Sequence, residues 1–210
     1  DLLKYAASVD VRQRGPIGAQ TDISIRGGNY EQITILLNGI NICDPQTGHN
    51  AFDFPVDIND IERIEVLEGP AGRVFGTSSL LGAINIVTKQ PTQNNVSAHA
   101  EAGSYGYFNG GASVGLVSGK WANSISGNYT RSDGYNRNKA GRLNTDFEGA
   151  KAFYQGSYVD QNTKVSWHAG LSMRDFGSNT FYGTGSDDQF EHTFKLHGLE
   201  SRHKVWRSAS

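Results

Sequence analysis

Beyond Pro91 the chain repeats a two-residue alternation in runs of about ten residues, and this pattern restricts the fold more than anything else in the sequence. Val96, Ala98, Ala100 and Ala102 fall on one side of the first run, and Ser97, His99, Glu101 and Gly103 on the other. Later runs align Phe108, Ala112, Val114 and Leu116, then Trp121, Ile125 and Tyr129, then Ala152, Tyr154 and Tyr158. Val165, Trp167, Ala169, Leu171 and Met173 follow, and a weaker sixth run carries Phe194 and Leu196. A period of two belongs to strands, whose successive side chains point to opposite faces. About ten residues is also the length at which a tilted strand crosses the hydrocarbon of a bilayer. Tyr129, Tyr158 and Trp167 are candidates for interfacial aromatic belts; in a soluble sandwich they would be ordinary strand aromatics.

The connections sharpen this expectation. Ser118-Gly119-Lys120 and residues 160–163 are short, whereas residues 133–149 and 177–189 are long and polar. Short turns alternating with long loops are the habit of outer-membrane barrels. Ser104-Tyr105-Gly106 is the misfit, being short where a long outer loop is expected. About six strands do not close a barrel, and an open edge leaves backbone amides unpaired in hydrocarbon, so a longer protein is expected.

Other classes are disfavoured. The longest apolar run, Ile33 to Leu37, is far below the roughly 20 residues of a membrane-spanning helix. A mean hydropathy of −0.48 still accommodates a barrel, whose lipid-facing and lumen-facing residues average out. Net charge −2 and a pI near 6.3 give no basic field for nucleic acid. The single cysteine, Cys43, allows neither an internal disulfide nor a CxxC site. Residues 69–78 are glycine-rich, but Phe75-Gly76-Thr77 has no lysine to reach phosphates. His192 and His197 point to opposite faces of one strand, and His197 and His203 lie about 20 Å apart along it. No enzyme activity, cofactor or metal centre is therefore expected. Asp187 and Asp188, with Asn179 and Gly185, offer hard oxygen ligands for calcium or simply a solvated acidic loop. Asp1-Leu2-Leu3-Lys4 lacks the basic start and apolar core of a signal peptide, so the first residue is expected to lie inside a mature protein.

The first ninety residues read differently. Residues 2–7 suggest the tail of a short helix, 9–12 a brief strand, and 21–27 a strand with Ile23 and Ile25 on one face. Asn38-Gly39 between two apolar runs is a type I′ hairpin signal, because both central residues need positive φ. Residues 57–62 suggest one helical turn with Asp57 as N-cap. Residues 63–67 alternate as a half-buried strand, Gly69-Pro70 breaks it, and residues 83–87 begin a second β-branched run.

Residues 63–89 also carry a family pattern. Arg63, Ile64, Glu65 and Val66 lead to Gly69-Pro70, and Phe75-Gly76 to Gly82, Ile84, Asn85, Ile86 and Thr88. Together with Ile25-Arg26-Gly27 and Leu37-Asn38-Gly39-Ile40, this resembles the plug domain of TonB-dependent outer-membrane receptors. Leu81 stands where the family more often has glycine, Glu68 where many members have arginine, and Asn38 where aspartate is common.

The resemblance implies an α+β plug, a small mixed sheet with short helices, over residues 1–90. Residues 91–210 would be the first six or so antiparallel strands of an incomplete 22-stranded barrel. It implies outer-membrane location with the plug inside the barrel, and a TonB box preceding Asp1. Partners would be TonB, outer-membrane lipid and a large scarce nutrient, with a surface lipoprotein also admissible. Ligand contacts would come from outward plug loops, at Arg14, Gln20, Asp44, Gln46, His49, Asn50, Phe52 and Phe54. Arg26, Arg63 and Glu65 would lock plug to barrel, or alternatively the arginines would pair with Glu65 and Glu68 within the plug. The short first outer loop and residues 44–54 look most like cobalamin receptors, with ferric siderophore receptors next and glycan importers third. The rival reading is a β-rich surface binding module that transports nothing.

Overall fold

The protein is described from a computed structural model, covering residues 9–13, 21–25, 33–42, 54–69, 82–134, 145–177 and 190–205. β1 (Val9–Gln13) and β2 (Thr21–Ile25) form an antiparallel ribbon. β3 (Ile33–Leu37), β4 (Ile40–Asn41), β5 (Ile61–Glu68) and β6 (Gly82–Thr88) form a mixed sheet ordered β4-β3-β6-β5. Its central pair, β3 with β6, is parallel, and the flanking pairs are antiparallel.

The β3–β4 turn has the expected chemistry, with Asn38 at φ 52° and Gly39 at φ 81°. The turn expected at residues 57–62 is shorter. It is a 3-10 turn, Ile58–Asp60, capped by the Asp57 carboxylate accepting from the Asn59 amide at 2.8 Å. Ile61 and Glu62 already belong to β5, because pairing with β6 outcompetes a further helical turn.

All five residues of β3 are buried, as are most of those of β6. Ile33, Ile35, Leu37, Val56, Ile84 and Ile86 make one core. A strand covered on both faces needs apolar residues at nearly every position, which is why Ile33–Leu37 shows no alternation.

Residues 89–94 lead into a second sheet of six antiparallel strands. These are β7 (Asn95–Ala102), β8 (Phe108–Ser118), β9 (Trp121–Ser132), β10 (Phe147–Val159), β11 (Thr163–Gly177) and β12 (Phe190–Val205). They pair in chain order as a meander. The register keeps the parity read from the sequence: Val96 faces Val114, Val114 faces Ile125, Ile125 faces Tyr154 and Tyr154 faces Ala169. This face is apolar and open, with Val96 77%, Leu116 57% and Ile125 58% exposed. The opposite face carries Ser97, His99, Asn109, Ser126, Gln155, His168 and Ser172 and looks onto the mixed sheet. Among the described residues no helix is long and apolar enough to cross a membrane.

The short β7–β8 connection closes on itself: Gly103 donates to the Tyr107 carbonyl at 2.9 Å. Asp133 N–H, at the start of the next loop on that side, donates to the Tyr105 carbonyl at 2.8 Å.

Candidate functional site

The two sheets meet along a seam, and β10 supplies much of the wall's side of it. Its inward residues Lys151, Phe153 and Gln155 follow the strand's two-residue period. Phe153 is 3% exposed and belongs to the core of the mixed sheet, although it stands on the wall. Lys151 Nζ lies 5.7 Å from the centre of the Phe54 ring. On the next strand Gly170 admits Pro55 at close quarters; a Cβ there would run into the proline ring.

Gln155 makes the densest polar contact. Its Nε2 donates to the Lys89 carbonyl at 2.7 Å, while its Oε1 accepts from Thr88 Oγ1 at 2.5 Å and Gln90 Nε2 at 2.8 Å. Thr88 is tied onward to the hairpin tip, its N–H donating to Asn38 Oδ1 at 2.9 Å.

A second contact joins the 3-10 turn to β7 and β9. Asn59 Nδ2 lies 3.2 Å and Asn128 Nδ2 3.4 Å from His99 Nε2, and Asp57 Oδ1 lies 3.9 Å from the same nitrogen. Burial against the wall pushes the Asp60 carboxyl above its ordinary value, although a hydrogen bond with Ser126 partly opposes this. Lys89 braces the turn, its N–H donating to the Asp60 carbonyl and its Nζ to the Asn59 carbonyl.

Arg63 and Glu65 share one face of β5, as the alternation of residues 63–67 requires. Arg63 pairs with both Glu65 and Glu62 at 2.8 Å, and its side chain is 53% exposed. Glu65 also accepts from Asn85 Nδ2 at 2.7 Å. That bond, followed by Arg63, lowers the Glu65 carboxyl below its usual value. Asn85 Oδ1 in turn accepts from the Gly39 N–H at 2.8 Å. The pair borders a cleft of about 620 Å³ whose far side is formed by wall residues including Ser157, Lys164, Ser166 and His168. A second cleft of about 650 Å³ runs between residues 89–93 and β7–β10. The seam is thus a set of separate polar ties around one apolar contact, with open clefts beside them.

On the outward face, Trp121 packs against Tyr158 at 4.8 Å and Trp167 at 6.0 Å, next to the short turns. Phe108 and Tyr129 pair at 6.5 Å towards the other end. Trp121 and Tyr129 are eight residues apart on β9, about 26 Å along a strand and about 20 Å along a normal tilted by ~40°. That is close to the height of the apolar band of an outer-membrane barrel, about 25 Å.

Of the residues expected to act, Phe54, Arg63 and Glu65 are described. Phe54 packs against the apolar core and beneath Lys151. Arg14, Gln20, Arg26, Asp44, Gln46, His49, Asn50 and Phe52 lie outside the described residues, as do residues 2–7, Asp187 and Asp188. The sequence reading did not single out Phe153, Gln155 or His99. One signal was available: Phe153 is a large apolar residue whose neighbours on its own parity, Lys151 and Gln155, are polar.

A family model described as the TonB-dependent receptor plug domain matches residues 1–83. The vitamin B12 transporter BtuB of Vibrio vulnificus is 26% identical over 190 residues, covering 86% of this chain and 31% of that protein. The copper transporter OprC superposes with a TM-score of 0.68 at 20% identity, over 83% of this chain and 28% of its own. The ferric yersiniabactin uptake receptor FyuA from Yersinia pestis does so at 0.65 and 20%, over 84% and 29%. The chain therefore spans about a third of the length of the curated relative it matches. With its mixed sheet docked on the polar side of a meander whose other side is apolar, the chain is similar to the TonB-dependent outer-membrane receptors, and its first 83 residues match their plug domain.

Proposed function

We propose that the protein of which this chain forms part takes up a large nutrient across the outer membrane, driven by TonB. The observation that carries this reading is the sidedness of the wall: apolar outward, polar inward, with a small sheet held against the inner face. Residues 1–90 act as the plug and residues 91–210 as the first strands of the barrel around it. Ligand contacts fall to the outward loops at Arg14, Gln20, Asp44, Gln46, His49, Asn50, Phe52 and Phe54. Arg26, with Arg63 and Glu65, contributes to holding the plug until TonB pulls. A transport cycle built on such a seam needs ties that break one at a time, and the separate contacts of Asn59 and Asp57 with His99 meet that need.

The favoured ligand is cobalamin, supported by the likeness to a vitamin B12 transporter across both the plug and the strands. A ferric siderophore is the second reading, supported by the fold shared with a ferric yersiniabactin receptor. Equilibrium binding of cyanocobalamin and of ferric siderophores to the full-length receptor in detergent separates them. Saturable submicromolar binding of cyanocobalamin alone is expected; tight binding of a ferric siderophore alone reverses the order. TonB-independent behaviour of the receptor in cells would remove the transport reading and leave a surface binding module.

A further inference from the structure

We propose that Gln155 is a positioning residue that fastens the plug's carboxy-terminal end to the wall, making residues 88–90 an anchor and not a hinge. This rests on the plug-and-wall architecture and is independent of which ligand is carried.

The argument begins with the side chain's chemistry. A primary amide has a donor end and an acceptor end, and a buried one is stable only where both are satisfied. Gln155 is 3% exposed and uses both ends on three consecutive plug residues. Its donor faces a backbone carbonyl, that of Lys89, which no side-chain rearrangement can withdraw. The two clefts lie on either side, and Gln155 lines both, so the amide stands as a partition between them. The fastened stretch also gathers other parts of the plug. Thr88 holds the hairpin tip through Asn38, and Lys89 holds the 3-10 turn through the Asp60 carbonyl. One wall amide therefore immobilises three plug segments through a single peptide stretch.

Glutamate at this position separates an anchor from a polar filler. It has nearly the same shape and keeps the acceptor for Thr88 and Gln90. Ionised, however, it turns lone pairs on the Lys89 carbonyl where an N–H used to be. Protonation returns a donor, and burial raises the pH at which that happens. Filling would be insensitive to this change, whereas anchoring would follow it.

The test uses the full-length receptor with Cys43→Ser and a nitroxide on Thr92→Cys, in the linker just past the anchor. The label is expected to be immobile without further change at about pH 7.5 and about pH 4.5. Gln155→Ala should raise its mobile population about tenfold at both values, the effect of losing roughly one net buried hydrogen bond or more. Gln155→Glu should be mobile at the higher pH and immobile at the lower. Should Gln155→Glu fail to assemble, Gln90→Ala removes one bond from the plug side and should give a smaller rise. An immobile label in Gln155→Ala, equal mobility of Gln155→Glu at both pH values, or no rise in Gln90→Ala overturns the proposal.

Discussion

The mixed sheet and the wall are built from the same kind of strand, yet they solve burial in opposite ways. β3 buries all five of its residues, and β6 is buried along nearly its whole length. β7, by contrast, is exposed at almost every position, and β8 to β11 alternate. A protein in water does not leave a continuous apolar face of Val96, Val114, Leu116 and Ile125 uncovered, because burying such surface is the main gain of folding. The plug sheet finds its apolar solvent within the chain, whereas the wall requires one from outside. What distinguishes the two regions is where the second face is covered, and the composition of their strands follows from it.

Phe153 belongs to both regions, so removing it strains the comparison most. Phe153→Ala should destabilise the plug by about 3–5 kcal/mol although the residue lies on the wall. Denaturant unfolding of the full-length receptor, followed by a probe in the plug, measures this, and an unaltered plug midpoint would mean the cores are separate. Next comes Ile125→Arg, expected to cost about 2–4 kcal/mol for folding into a lipid bilayer. Refolding into vesicles at increasing urea tests it, and no penalty there would mean the outward face does not meet lipid. Gly170→Val should cost about 1–3 kcal/mol by driving a side chain into Pro55. Its signature is a loosened plug with an intact barrel, seen as faster proteolysis of residues 54–60 while heat-modifiable migration is kept.

The smallest effects concern charges. Arg63→Ala removes half-exposed pairs and should leave the denaturant midpoint of the plug almost unchanged. Asp60 has a sign that is easy to check. Its folded value lies above the unfolded one, so its stabilising contribution is complete in acid and is lost as pH rises through the folded value. Asp60→Asn removes that loss, so in unfolding followed against pH the variant should gain stability relative to the wild type as pH rises through the folded value.

Much of the wall was legible because alternation is a local property. Once Val96 and Ala98 are assigned to one face, pairing in chain order carries the assignment across β8 to β11. The hairpin at Asn38-Gly39 was legible for the same reason, since two residues determine the turn. The 3-10 turn was overextended by two residues because Ile61 pairs with Thr88 of β6, more than twenty positions away, and Glu62 follows it in the bulge before Arg63. Gln155 was invisible as a contact residue: nothing near it in sequence announces that Thr88, Lys89 and Gln90 will face it across 67, 66 and 65 positions. The pairing of Arg63 with Glu65 needed only their shared parity, whereas its second partner, Glu62, comes from the strand's exposed edge.

A core that borrows an aromatic ring from β10 has a consequence for biogenesis. The plug precedes β10 in the chain, so it leaves the ribosome well before the ring that completes its interior. Until the fourth wall strand is in place, the cluster that Phe153 completes lacks one of its rings, and apolar surface left open in this way is prone to association. Synthesis thus runs from plug to barrel, while consolidation has to run the other way.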